Sequence, residues 1–205
     1  MVASPATPHP NAHSGILAAM TIRGLALVGA LGGTALGLSR LLVRGTLTID
    51  LGIGRNLRPL GPITVHIDAP REVVYEVIAG PYLRRTPRAL EGKLRVLERG
   101  TDLVLAAHFT QVGRVVATTL ETVRFQAPHS IRFRLVRGPV PHVVERFELS
   151  EREGGTTLDY SGDLGTDLWA VGRWWGRRVG PRWEAAVRGS LAAVKAEAER
   201  RAAPS

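Results

Sequence analysis

The chain has 205 residues, 44% hydrophobic and 22% charged, a formal net charge of +9 and no cysteine. That length supports one folded domain with an appendage. The lack of cysteine excludes a disulfide framework, a thiolate nucleophile and a cysteine-ligated metal or iron–sulfur centre. The charge is nearly all arginine, scattered rather than gathered in tracts, with Lys93 and Lys195 the only lysines. This argues against nucleic acid as a partner and leaves acidic lipid as the anionic surface to consider.

Residues 1–19 open with the Pro/Ser/His-rich "MVASPATPHPNAHSG", which has nothing to bury and is expected to be disordered. From Ile16 to Val43 the chain is apolar and small, broken only by Arg23 and Arg40. The uncharged run between those arginines gives a helix of only about 24 Å, short of a hydrocarbon core. Counted over 20–44, with both arginines snorkelling, the length suffices for a transmembrane or signal-anchor helix. Met20 is an alternative start to Met1. Gly29, Gly33 and Gly37 share one helix face and offer a route to a homodimer. A cleaved signal peptide ending at Ala35-Leu36-Gly37 and a peripheral helix are the competing readings. Arg40, Arg44, Arg55 and Arg58 follow the apolar centre and only Arg23 precedes it, so a single-pass anchor would leave the folded domain on the cytoplasmic side.

Residues 45–60 read as a juxtamembrane connector, and the folded domain is expected over 61–201. "GPITVHI" alternates as a strand. Asp68 then stands at a cap position, Pro70 suits a first turn, and Val73, Val74, Val77 and Ile78 form an apolar helical face that Gly80-Pro81 should stop. "PYLRRTPRAL" reads as a second short helical turn. Six alternating segments follow, near 92–98, 102–110, 113–125, 129–137, 141–150 and 155–165, separated by turn signals. From Asp167 to about Arg201 the period becomes helical. The fold class is therefore α+β: a curved antiparallel sheet of about seven strands wrapped round a long C-terminal helix, with two short helices after the first strand and an N-terminal hydrophobic helix.

Three segments carry a family resemblance: "VHIDAPREVVYEVIAGP" at 65–81, "ERFELSEREGGTTLDYSGDLG" at 145–165 and "RWEAAVRGSLAAVKAEAE" at 182–199. They resemble the opening, last hairpin and closing helix of the SRPBCC superfamily, the START/polyketide-cyclase-like helix-grip fold. The resemblance implies a cavity between sheet and closing helix that holds a hydrophobic molecule such as a lipid, sterol, quinone or polyketide. In a minority of the family it implies cyclisation or dehydration there.

Alternation proposes the cavity face. Val115, Ala117, Thr119, Glu121, Val123 and Phe125 share one phase; so do Ile131, Phe133 and Leu135, then Val143, Glu145, Phe147 and Leu149, then Leu158, Tyr160 and Leu164. Glu121 and Glu145 thus fall on apolar faces, where an unpaired carboxylate costs several kcal/mol. Either they and Tyr160 recognise a ligand's polar end, or each pairs internally with an arginine. His66 and His108 fall on the polar phase and are expected to face solvent. No zinc-like histidine spacing, nucleophile elbow or phosphate loop is present, and neither metal nor cofactor is expected.

On the closing helix, Leu168, Val171, Trp175, Val179, Trp183, Val187, Leu191, Val194 and Ala198 define an inward stripe. Phe133, Phe147, Trp175 and Trp183 complete the expected ligand-binding set with Glu121, Glu145 and Tyr160. Trp174 shares a flank with Arg178 and Arg182, and Trp169 lies near Arg173, so Trp169, Trp174 and Arg178 are expected to face a membrane. Gly176, Gly180 and Pro181 should loosen the helix at the cavity entrance. These features favour a membrane-anchored module that binds or transfers a lipid, isoprenoid or quinone-like molecule. The alternative is a polyketide cyclase/dehydratase-type enzyme, placed second because no acid/base pair stands out along the chain.

Overall fold

The computed structural model describes residues 36–84 and 86–203. The chain divides into two compact units, Met1–Arg40 and Leu41–Ser205. In the first, residues 36–40 are helical, with Gly37 exposed. The expected tail, Gly29, Gly33 and most of the apolar segment lie outside the described residues. Among the described residues no helix is long and apolar enough to cross a membrane.

The second unit holds strand β1 (Asn56–Ile67), helix α1 (Arg71–Leu83), a 3-10 turn (Arg88–Leu90) and strands β2 (Leu94–Arg99), β3 (Leu103–Val112) and β4 (Val115–Gln126). Strands β5 (Ser130–Arg137), β6 (His142–Arg152) and β7 (Gly155–Thr166) and helix α2 (Trp169–Ala202) complete it. The strands make one antiparallel sheet in the order β1-β7-β6-β5-β4-β3-β2. Each strand from β3 onward pairs with its predecessor, and β1 closes on β7, so first and last strands are neighbours. Helix α2 lies along β1, β7 and α1, on the concave face whose apolar residues form the core. Leu60, Ile67, Val123, Ile131, Leu158, Tyr160, Leu164 and Leu191 are almost fully buried there. Each such side chain stabilises the fold by roughly 1.5–3 kcal/mol relative to exposure.

This is the helix-grip fold, and four local expectations change. The first strand starts at Asn56, because residues 56–60 pair with Gly162–Thr166 of β7 ahead of a bulge at Leu60/Ile63. The connector is correspondingly short. Asp68 does not cap α1; its carboxylate accepts from Arg152 at 2.7 Å, and Pro70 holds the cap position. Pro81 does not stop α1, which ends two residues later, so the proline sits in the last turn where its missing donor removes little. The second short helix is a single 3-10 turn.

Helix α2 runs 34 residues through Pro181. Gly172, Gly176 and Gly180 are buried, not loosening points. A Cβ at Gly172 would overlap the Asp167 carbonyl, and one at Gly180 would sit 2.8 Å from the Arg58 guanidinium. These glycines let the helix approach the ends of β1 and β7. With that glycine face inward, Val171 turns out to solvent, 65% exposed. The rest of the inward stripe from Trp175 to Ala198 is buried or packed on the core.

Candidate functional site

The register places Glu121 and Glu145 on the concave face, as the alternation implies, and both are only 6% exposed. Their partners are not arginines. Glu145 Oε1 accepts from Tyr160 Oη at 2.7 Å and from Trp183 Nε1 at 2.8 Å. Gly162 of β7 stands directly opposite Glu145. A Cβ there would come within 2.5 Å of the Val144 carbonyl oxygen and 3.3 Å of Glu145 Cγ, so glycine makes the room this side chain occupies. Burial pushes the Glu145 carboxyl up to about 7; the Glu121 charge adds to this, and the two donors oppose it.

Glu121 anchors a second polar centre. Its Oε2 lies 3.3 Å from His108 Nδ1, while Tyr82 Oη lies 2.9 Å from His108 Nε2. The Nδ1 contact is within ion-pair distance but out of hydrogen-bond alignment, which leaves that buried nitrogen without a hydrogen bond. Burial pushes Glu121 up to about 7 and holds His108 down at about 4. Burial thus favours the neutral form of both the imidazole and the carboxyl over a fixed ion pair. A register shift between Leu120 and Glu121, with Val136 of β5 as the extra residue, sits beside this carboxyl. Bulges of this kind re-aim side chains next to functional sites.

His108 corrects the expectation of a solvent-facing residue. Strand β3, "LVLAAHFTQV", is apolar on both phases at its start, so its period does not define a face. Its pairing with Thr119 of β4 does. Tyr82 escapes the sequence pattern because it follows the proline expected to end α1. Only the continuation of the helix turns its ring inward.

A run of aromatic rings joins the two centres. Tyr82 meets Phe133 at 5.8 Å, Phe133 meets Phe147 at 5.3 Å, and Phe147 meets Tyr160 at 5.2 Å, centroid to centroid. Five of the seven expected ligand-binding residues therefore share the sheet's concave face, Glu121, Phe133, Glu145, Phe147 and Tyr160, and a sixth, Trp183, meets them from α2. The seventh, Trp175, reaches from α2 to the β5–β6 loop, donating to the Pro139 carbonyl at 2.7 Å. Part of this surface keeps contact with solvent. Phe147, Trp175 and Trp183 are only partly buried, and His108 keeps 21% of its side-chain surface accessible. Among the described residues no group of three acidic or histidine side chains could hold a metal ion.

Sheet, closing helix and interior together fit a family model described as polyketide cyclase / dehydrase and lipid transport, which matches residues 63–199. The chain belongs to this family. Solved structures share its fold. The Zhui aromatase/cyclase from a Streptomyces species is 20% identical, with a TM-score of 0.57 over 71% of this chain and 96% of that one. The di-domain aromatase/cyclase StfQ from the steffimycin biosynthetic pathway is 17% identical, with a TM-score of 0.53 over 73% of this chain and 52% of that one. Norcoclaurine synthase from Thalictrum flavum, solved with dopamine and hydroxybenzaldehyde, is 11% identical, with a TM-score of 0.57 over 74% and 91%. At these identities the likeness establishes the helix-grip fold. No curated protein matches the chain.

On the outer flank of α2, Trp169 and Trp174 are exposed, as the sequence implies. The Arg178 guanidinium stacks 4.2 Å above the Trp174 ring, a cation–π contact that holds both side chains at the surface.

Proposed function

We propose that the domain binds an apolar, carbonyl-bearing molecule on its concave face and acts on it as a polyketide cyclase/dehydratase-type enzyme. The carrying observation is the pair of buried carboxyls, Glu121 and Glu145, whose proton affinity is raised to near neutrality. A general acid and a general base work best with pKa values near the working pH. This pair supplies what the linear sequence lacks, and it moves the enzyme reading ahead of the carrier reading. One carboxylate would take a proton from the carbon next to a ketone. The resulting enolate attacks a second carbonyl, and the protonated carboxyl, aided by Tyr160, donates to the oxygen that becomes a hydroxyl. In dehydration the donor protonates that hydroxyl, which leaves as water, and the proton lost from the adjacent carbon restores the acid. His108 Nδ1, buried without a hydrogen bond, would offer its N–H to the substrate's oxygen.

The other reading is a carrier for a lipid, isoprenoid or quinone-like molecule. The aromatic run from Tyr82 to Tyr160 favours it, and it needs no proton transfer. A poly-β-ketone mimic incubated with the full chain distinguishes the two. Mass spectrometry should show cyclised product with loss of water, and Glu121→Gln and Glu145→Gln should each lower its rate about 100-fold or more. Binding without turnover by the wild-type chain, or turnover untouched in both variants, would defeat the enzyme reading.

A further inference from the structure

The exposed apolar side chains near the start of α2 gather at one corner, where the chain before β1 is sewn to the helix. The backbone N–H groups of Leu51 and Gly52 donate to Asp167 Oδ2 at 2.7 and 2.8 Å. Those of Leu168 and Trp169 donate to the carbonyls of Ile53 and Gly54 at 2.9 and 3.0 Å. The Trp169 indole covers Gly54, where a Cβ would overlap the ring. This knot holds half-exposed Leu51 and Ile53 beside Trp169, itself 59% exposed. Val171 and Trp174, three residues apart, are the next exposed apolar side chains along α2, with Trp174 48% exposed.

Two further observations mark the corner. Leu168 and Trp169 have φ of 70° and 45°, a left-handed conformation that bulky residues adopt only at a cost of order 1–3 kcal/mol each. In this conformation the Trp169 ring lies over Gly54 and is largely exposed. Charge is equally one-sided. Between residues 169 and 183 the helix carries Arg173, Arg177, Arg178 and Arg182 and no acidic residue. Nearby Asp50 and Asp167 are both engaged by Arg55. A cationic rim round exposed tryptophans matches the headgroup layer of an anionic bilayer, where indoles sit at the interface and guanidinium groups meet phosphate. The apolar stretch ending at Val43 stops eight residues before Leu51 in the sequence, so the corner lies close in the chain to a segment of bilayer-like composition.

We infer that this corner docks on an anionic lipid membrane, with Trp169 and Trp174 at headgroup depth and Arg177 and Arg178 against lipid phosphate. The inference is independent of the chemistry inside the domain. Added to vesicles of phosphatidylcholine mixed with phosphatidylglycerol and containing brominated lipid, the full chain should lose tryptophan emission. The double variant Trp169→Phe/Trp174→Phe should lose most of that lipid quenching, because the partly buried Trp175 and Trp183 are held by bonds to the Pro139 carbonyl and Glu145. Arg177→Gln/Arg178→Gln should weaken it several-fold, as should raised salt. Quenching that persists undiminished in the tryptophan variant would overturn the inference. So would equal quenching in pure phosphatidylcholine. A blue shift of the wild-type emission that depends on protein concentration and not on lipid would assign the corner to a protein partner instead.

Discussion

Glu121, Glu145 and His108 give the interior a pH signature with a definite sign. The two carboxyls are raised from 4.5 to about 7, and the imidazole is lowered from 6.5 to about 4. Between pH 4.5 and 6.5 the native state binds about two more carboxyl protons and one fewer imidazolium proton than the unfolded chain. The balance is one extra proton in the native state, so stability falls as pH rises, by up to roughly 1.4 kcal/mol per pH unit. The fall continues through the folded-state values near 7 and levels off about one pH unit above them. Carboxylates held below their ordinary range, Asp167, Glu197 and Glu199, act below pH 4.5 and leave this window untouched. Urea unfolding across pH 4.5–7 should show the decline, and Glu145→Gln should flatten it, since the amide keeps the acceptor for Tyr160 and Trp183 without the titration. A wild-type profile that rises through this range would show that the carboxyls are not held neutral.

The elements show where periodicity informs and where it does not. Strands β4 to β7 alternate cleanly, so their inward faces, both glutamates and Tyr160 are legible in the order of residues alone. Strand β3 is apolar on both phases, and its inward histidine becomes visible only through its neighbour. The glycines of α2 mislead in a different way. Helical propensity marks Gly176 and Gly180 as weak points, but both are buried against side chains of Thr166 and Arg58, and no one-dimensional pattern distinguishes a packed glycine from a loose one. Paired substitutions separate them. Gly172→Ala places a methyl group on the Asp167 carbonyl and should destabilise by about 2 kcal/mol or more. Gly189→Ala, exposed on the same helix with open space round it, should stabilise by about 0.5–1 kcal/mol. Urea midpoints report both, and a Gly172→Ala protein as stable as wild type would refute the close approach.

For the whole domain, Asp167 links parts that are distant in sequence. Its carboxylate accepts from Leu51 and Gly52 and pairs with Arg55 at 2.7 Å, and these partners hold it down at about 2. The knot therefore stays ionised across ordinary pH. Asp167→Asn should speed amide exchange at residues 51–55 and expose them to protease while the sheet keeps its protection. Unchanged exchange there would mean that the Leu168–Ile53 and Trp169–Gly54 backbone bonds alone hold the strap. The sequence marks 45–60 only as a connector, because nothing in its composition tells where it docks. That docking has a mechanical consequence. A tug arriving along the chain from upstream of residue 50 meets the Asp167 knot before it meets the ladder of β1. It is delivered to the first turn of α2, the helix whose Trp183 donates to Glu145, so the chain segment leading into the domain and the interior carboxyl are joined through one helix.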